Sequence, residues 1–109
     1  MDAKNIYTAI QDAEYIAQWI PDGNHEWSYI GEKKEFDYKK AQVIIDEFFH
    51  EDKLYLSVNR HTGHEVCRDK AAWNVLKHID SGVYLASTDF IQVMAFSNIG
   101  TYRRGIVAS

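Results

Sequence analysis

Apolar residues recur at three- and four-residue intervals along the first stretch of the chain, at Ile6, Ile10, Ala13, Ala17 and Ile20. That spacing predicts an amphipathic helix over 3–20, or two short helices meeting near Asp12. Pro21 is expected to stop it, because proline disfavours helical geometry in the residue before it and has no N–H to donate. Pro21-Asp22-Gly23-Asn24 then reads as a turn. Trp27 and Tyr29 alternate with Glu26 and Ser28 as a short strand with one aromatic face, which Gly31 ends. Asp37 is placed to cap a second helix running to about His50, with Ala41, Ile44, Ile45, Phe48 and Phe49 as its apolar face.

Beyond this point the period shortens to two. Leu54, Leu56 and Val58 alternate with Tyr55, Ser57 and Asn59 as a half-buried strand. Residues 60–64 contain Thr62-Gly63 and read as a turn. A third helix is expected over about 69–79, burying Ala72, Val75, Leu76 and Ile79, with Asp69 as its cap and Ser81-Gly82 closing it. Strands follow over 83–86, 92–97 and 101–107, broken by Thr88-Asp89 and by a hairpin-type turn at Asn98-Ile99-Gly100. This order implies an α+β fold occupying residues 1–109 as one domain. About three helices would pack on a mainly antiparallel sheet that ends in a C-terminal β-meander.

Composition supports a packed core, with 46% apolar and 26% charged residues in 109. The single cysteine, Cys67, allows no intrachain disulfide, which fits a reducing compartment. The opening residues mix acids with apolar side chains and lack the basic start and apolar stretch of a secretory signal. A cytoplasmic location is the expectation. No stretch approaches the about 20 apolar residues of a membrane span. The net charge of −4 places nucleic-acid binding at a disadvantage. The basic pairs Lys33-Lys34, Lys39-Lys40 and Arg103-Arg104 are short and diluted by acids.

Chemistry-bearing residues gather in one place, His61-Thr-Gly-His64-Glu-Val-Cys67. This loop offers at most three ligands to zinc, whereas structural zinc sites take four, and it has no chelating cysteine pair. Cys67 as a nucleophile would need a base and an orienting third group, and only His64 is near in sequence. Asp89, in Ser87-Thr88-Asp89-Phe90, is the nearest candidate for an acid of raised pKa and reads more naturally as a turn or cap. Neither a phosphate-cradling glycine loop nor a nucleophile-elbow pattern is present. The sequence therefore predicts no enzyme, no catalytic residues, no cofactor and no metal site, with a metal-binding or thiol-dependent protein using His61, His64 and Cys67 as the alternative. A structural or regulatory module that dimerises through its sheet edge is the other.

Two surface features remain. Asp46, Glu47, Glu51 and Asp52 cluster at the end of the second helix, where acids oppose the helix dipole by about 0.3–1 kcal/mol each when exposed. Ten tyrosines and tryptophans (7, 15, 19, 27, 29, 38, 55, 73, 84 and 102) exceed what so small a core encloses. Aromatic residues beside charge are what protein interfaces use as anchors. Asp46, Glu47, Glu51, Asp52, Tyr55, Trp27 and Tyr29 are the expected partner-binding set. Such a set suits a non-catalytic protein that neutralises a basic protein partner, in the manner of a bacterial immunity or antitoxin protein blocking a nuclease-type toxin. The Arg103-Arg104 pair adds a possible anchor for a carboxylate or phosphate.

Overall fold

Asp2 opens the first helix by accepting a hydrogen bond from the Asn5 N–H at 2.9 Å, and α1 runs Ala3–Ile16. The computed structural model describes residues 1–21, 27–31 and 35–107. The turn expected at Pro21-Asp22-Gly23-Asn24, the acids Asp22 and Glu26 and the pair Lys33-Lys34 lie wholly or partly outside the described residues. The helix ends before Pro21, at Ala17, whose backbone is already extended. Gln18–Trp19 instead form a two-residue strand, β1. The reason is tertiary: β1 pairs antiparallel with the last strand, and the Trp19 ring lies over Gly105, where a side chain would clash.

The remaining elements are β2 Ser28–Tyr29, α2 Tyr38–Phe48, β3 Lys53–Ser57, β4 Gly63–Cys67, α3 Ala71–His78, β5 Val83–Ala86, β6 Gln92–Phe96 and β7 Thr101–Ile106. Three helices thus pack on a seven-stranded antiparallel sheet of order β1-β7-β6-β5-β3-β4, with β2 also paired to β7. Strands β5, β6 and β7 form the expected meander. Side chains alternate between the two faces of the sheet, and each face has its own core. Leu54, Leu56, Val83, Leu85, Met94 and Phe96 meet α2 and α3 through Ile45, Phe49 and Val75. Ala86 and Val93 meet Ile6 and Ile10 of α1 on the opposite face. The sheet is a central layer between α1 and the α2–α3 pair.

Two local expectations change. Residues 63–67, read as part of a polar loop, are the edge strand β4, paired to β3 from Lys53↔Cys67 to Ser57↔Gly63. Only Val66 in it is buried, so the alternation carried too little apolar signal to register. The third helix begins as a 3₁₀ turn at Arg68–Lys70, and Asp69 does not cap it. The α3 N-terminus is served from α2 instead: the Gln42 amide oxygen accepts the Ala72 N–H at 3.1 Å. Asp37, by contrast, caps α2 as its sequence position suggests, accepting from the Lys40 N–H at 3.0 Å.

Gly31 closes the segment after β2 at φ +101°, and a Cβ there would stand 2.2 Å from the Glu35 carbonyl oxygen. Only glycine combines that backbone with that approach.

Candidate functional site

Helix α2 divides its side of the molecule into two grooves, and each contains part of the expected binding set. The first lies between α2 and α3. Its walls are Tyr38, Gln42, Val43 and Asp46 from α2 and Asp69, Lys70 and Trp73 from the α3 side, enclosing about 520 Å³. Tyr38 and Trp73 meet edge-to-face with ring centroids 5.9 Å apart. They remain 42% and 51% exposed, with Val43 more exposed still. This is a largely apolar strip left open to solvent.

Gln42 organises this groove. Its amide nitrogen donates to the Arg68 carbonyl at 2.7 Å and to Asp46 Oδ1 at 3.0 Å, while its oxygen holds Ala72. Arg68 donates to the Phe49 carbonyl at 3.2 Å, and its Nε stands 3.5 Å from Asp46. Arg68 thus pairs with Asp46, one of an arc of three exposed acids with Asp69 and Asp52. Asp46 and Asp69 line the groove, and Asp69 and Asp52 line the adjoining depression with Lys53 and Cys67. Lys39 and Lys70 also reach the groove, so its rim carries both signs.

The second groove lies between α2 and the β7 side of the sheet. Trp27, Ser28, Tyr29, Lys40, Ile44, Glu47, Tyr102 and Arg104 enclose about 530 Å³. Three of the expected residues, Trp27, Tyr29 and Glu47, come together here. Tyr29 donates its hydroxyl to Glu35 Oε2 at 3.2 Å.

The other expected residues disperse. Glu51 holds the β5–β6 turn: one carboxylate oxygen accepts the Thr88 N–H at 3.1 Å, and the other accepts the Thr88 hydroxyl. Tyr55 projects to the α1 face and stacks on Phe90 with centroids 5.3 Å apart. The four acids at the end of α2 thus do not make one patch. Asp46 and Asp52 belong to the first arc, Glu47 faces the second groove, and Glu51 is engaged in the fold. Tyr38, Val43, Asp69 and Trp73 were missed as site residues. The signal available was apolar residues off the inward stripes, since Val43 and Trp73 break the helical pattern of Ala41-Ile45-Phe48 and Ala72-Val75-Ile79.

The reactive cluster also resolves. Strand alternation puts His64 on the Val66 side of β4 and Cys67 on the other, so the two cannot converge on one ion. Among the described residues no group of three His, Cys, Asp or Glu is placed to hold a metal ion. Cys67 is exposed, and Lys53 Nζ lies 3.1 Å from its sulfur across the β3–β4 pair. That hydrogen bond, followed by the charge of Cys67 itself, raises the Lys53 pKa above its ordinary value.

Asp89 goes the other way from a raised-pKa acid. It accepts from the Ser87 hydroxyl at 2.6 Å and from the Ile91 N–H at 3.0 Å, and these bonds lower its pKa below the usual carboxylate value. It is a turn residue in a hairpin where Phe90 takes φ +60°.

Among the described residues, no helix is long and apolar enough to cross a membrane. No family model, no curated protein and no solved structure matches the chain.

Proposed function

We propose that the chain is a non-catalytic binding protein that neutralises a basic protein partner, as a bacterial immunity or antitoxin protein neutralises a nuclease-type toxin. The observation that carries this reading is the open groove between α2 and α3. An exposed aromatic pair, Tyr38 and Trp73, stands there beside the acidic arc Asp46–Asp69–Asp52. Interfaces concentrate binding energy in aromatic anchors of this kind and use surrounding charge for encounter rate and selectivity. Leaving two such rings half-exposed is otherwise a solubility cost. Lys39, Lys70, Lys53 and Arg68 line the same two depressions as the three acids, so the aromatic pair is the anchor and the acids contribute selectivity by position rather than by net charge.

The test uses a basic protein encoded beside this chain, co-expressed and co-purified with it. Trp73→Ala is expected to speed dissociation about tenfold or more. The pair Asp46→Lys and Asp69→Lys is expected to slow association and flatten its salt dependence. A complex unchanged in dissociation by the first variant, and in rate and salt dependence by the second, would overturn the assignment of this surface. Continued toxicity of the partner when bound would overturn the neutralising role.

A further inference from the structure

Strand β4 brings the chain's single thiol into contact with an amine. Lys53 and Cys67 face each other as the last pair of the β3–β4 ladder. Just beyond them the Arg68 N–H donates to the Asp52 carbonyl at 2.8 Å, so that next pair is hydrogen-bonded and the Lys53–Cys67 pair is not. Non-hydrogen-bonded pairs bring side chains closest, with Cα atoms about 4.5 Å apart. Lys53 Nζ consequently lies 3.1 Å from Cys67 Sγ. Both residues are exposed, and with Asp52, Arg68 and Asp69 they line a depression of about 360 Å³. His64, the base that the sequence offered to this thiol, sits on the other face of β4.

The two groups in contact can do what neither does alone. A thiol meeting a peroxide becomes a sulfenic acid, which condenses with a nucleophile in reach or is oxidised further to the irreversible sulfinic acid. In the reduced protein Lys53 is held protonated, its pKa raised first by the hydrogen bond to the sulfur and then by the charge of the thiolate. A sulfenic acid is neutral, so its formation removes the second cause and weakens the first. The amine is then freer to react, one contact away from an electrophilic sulfur. Held at this distance, it competes at an effective concentration far above that of a thiol in solution.

We propose that Lys53 and Cys67 form a sulfenamide cross-link on exposure to a peroxide, stapling β4 to β3. The sulfur attacks one peroxide oxygen: an S–O bond forms, the O–O bond breaks, and water leaves with the thiol proton. Sulfur is oxidised by two electrons and the peroxide is reduced. The free amine of Lys53 then attacks sulfur. An N–S bond forms, the S–O bond breaks, and the departing hydroxide takes an amine proton as a second water. One thiol, one amine and one hydrogen peroxide thus give one sulfenamide and two waters. Two small thiols reverse the link, restoring Lys53 and Cys67 and leaving as a disulfide. The link closes a loop of about 15 residues, which stabilises by restricting the unfolded chain. It also removes the Lys53 charge from beside Asp52 and Asp69. This chemistry does not depend on the partner proposed for the α2–α3 groove.

The experiment treats the full, reduced chain with hydrogen peroxide and follows intact mass, tryptic peptides and melting temperature, before and after dithiothreitol. The natural protein is expected to become about 2 Da lighter and to yield peptides joined between Lys53 and Cys67. It should also resist trypsin at Lys53 and melt higher, with every change reversed by dithiothreitol. Lys53→Arg keeps a cation beside the sulfur but has no free amine to offer. In that variant the joined peptides should vanish and the sulfinic acid should accumulate several-fold faster. Cys67→Ser should give neither product. Both substitutions are of exposed side chains, and circular dichroism checks that the variants stay folded. A natural chain that reaches sulfinic acid without joined peptides, or as fast as Lys53→Arg does, would overturn the proposal. So would disulfide-linked dimers as the sole product. A 2 Da loss that persists in Lys53→Arg would overturn it by placing the bond on a backbone nitrogen. Joined peptides heavier by about 14 Da would overturn the direct N–S bond, because an oxygen would then bridge the two atoms.

Discussion

The Arg103 guanidinium stands 3.2 Å from Glu14 Oε1, with its central carbon 3.6 Å from the centroid of the Trp19 ring. Three elements are joined by this one side chain: β7, the end of α1, and the short strand β1. The two charged groups are only 16% and 21% exposed, so removing either leaves its partner in a poorly solvated place. Arg103→Ala should cost about 3 kcal/mol in urea unfolding, near the value for breaking a buried pair. Glu14→Gln should cost less, because the arginine keeps its indole contacts and the amide oxygen still accepts. Equal losses in the two variants would show that the indoles contribute nothing.

Gly105 sits beneath the same assembly. A Cβ at this position would stand 2.8 Å from the Trp19 ring and 3.1 Å from the Ala17 side chain. Gly105→Ala should therefore lift Trp19 from its seat, destabilising by about 1–3 kcal/mol as overpacking does. Tryptophan emission should shift to the red as the ring gains water. A variant as stable as the natural protein, with unchanged emission, would mean that β1 is not held by this contact.

How much of this was legible in the sequence differs between the fold and the site. The helical stripes of Ile6-Ile10-Ala13 and Ala41-Ile45-Phe48 and the alternation at Leu54-Leu56 carry their own evidence, because burial on one face imposes the period. Strand β4 was not legible, since only Val66 in it turns inward, and β1 exists because of a glycine about 85 residues away in the chain. The acids at the end of α2 are close in sequence, yet helical rotation sends Asp46 and Glu47 into different grooves. Glu51 is claimed by Thr88, a partner no local pattern announces. Likewise the Arg103-Arg104 pair reads as one feature in sequence, and a strand necessarily splits it between faces.

Gln42 and Trp73 line one groove and should respond oppositely to mutation. Gln42 makes three hydrogen bonds that tie α2 to the start of α3, one of them to the Ala72 N–H, which α3 cannot satisfy by itself. Gln42→Ala should cost about 1–3 kcal/mol in thermal or urea unfolding. Trp73 is half-exposed and gives up only its edge contact with Tyr38, so Trp73→Ala should cost less than about 1 kcal/mol. A Trp73 variant that unfolds as readily as the Gln42 variant would make the aromatic pair a structural feature and remove the reason for its exposure.

Tyr84 gives the chain an alkaline limit. It lies on the α1 face of β5, and its phenol pKa is raised above the ordinary value of 10.0, first by burial and then by the charge of Glu14. The folded state thus holds the phenolic proton more tightly than the unfolded chain does. Above pH 10 the unfolded chain ionises while the folded one resists, so stability falls as pH rises from the unfolded pKa through the folded one. Below that window the contribution is present in full. Tyr84→Phe keeps the ring and removes the proton, and Glu14→Gln removes the second cause. Unfolding free energies from about pH 8 to pH 11 should fall less steeply in Tyr84→Phe than in the natural protein. The phenolate absorbance of folded protein should lose a component that titrates above pH 10 in the same variant. An unchanged alkaline slope in Tyr84→Phe would assign the effect to other tyrosines.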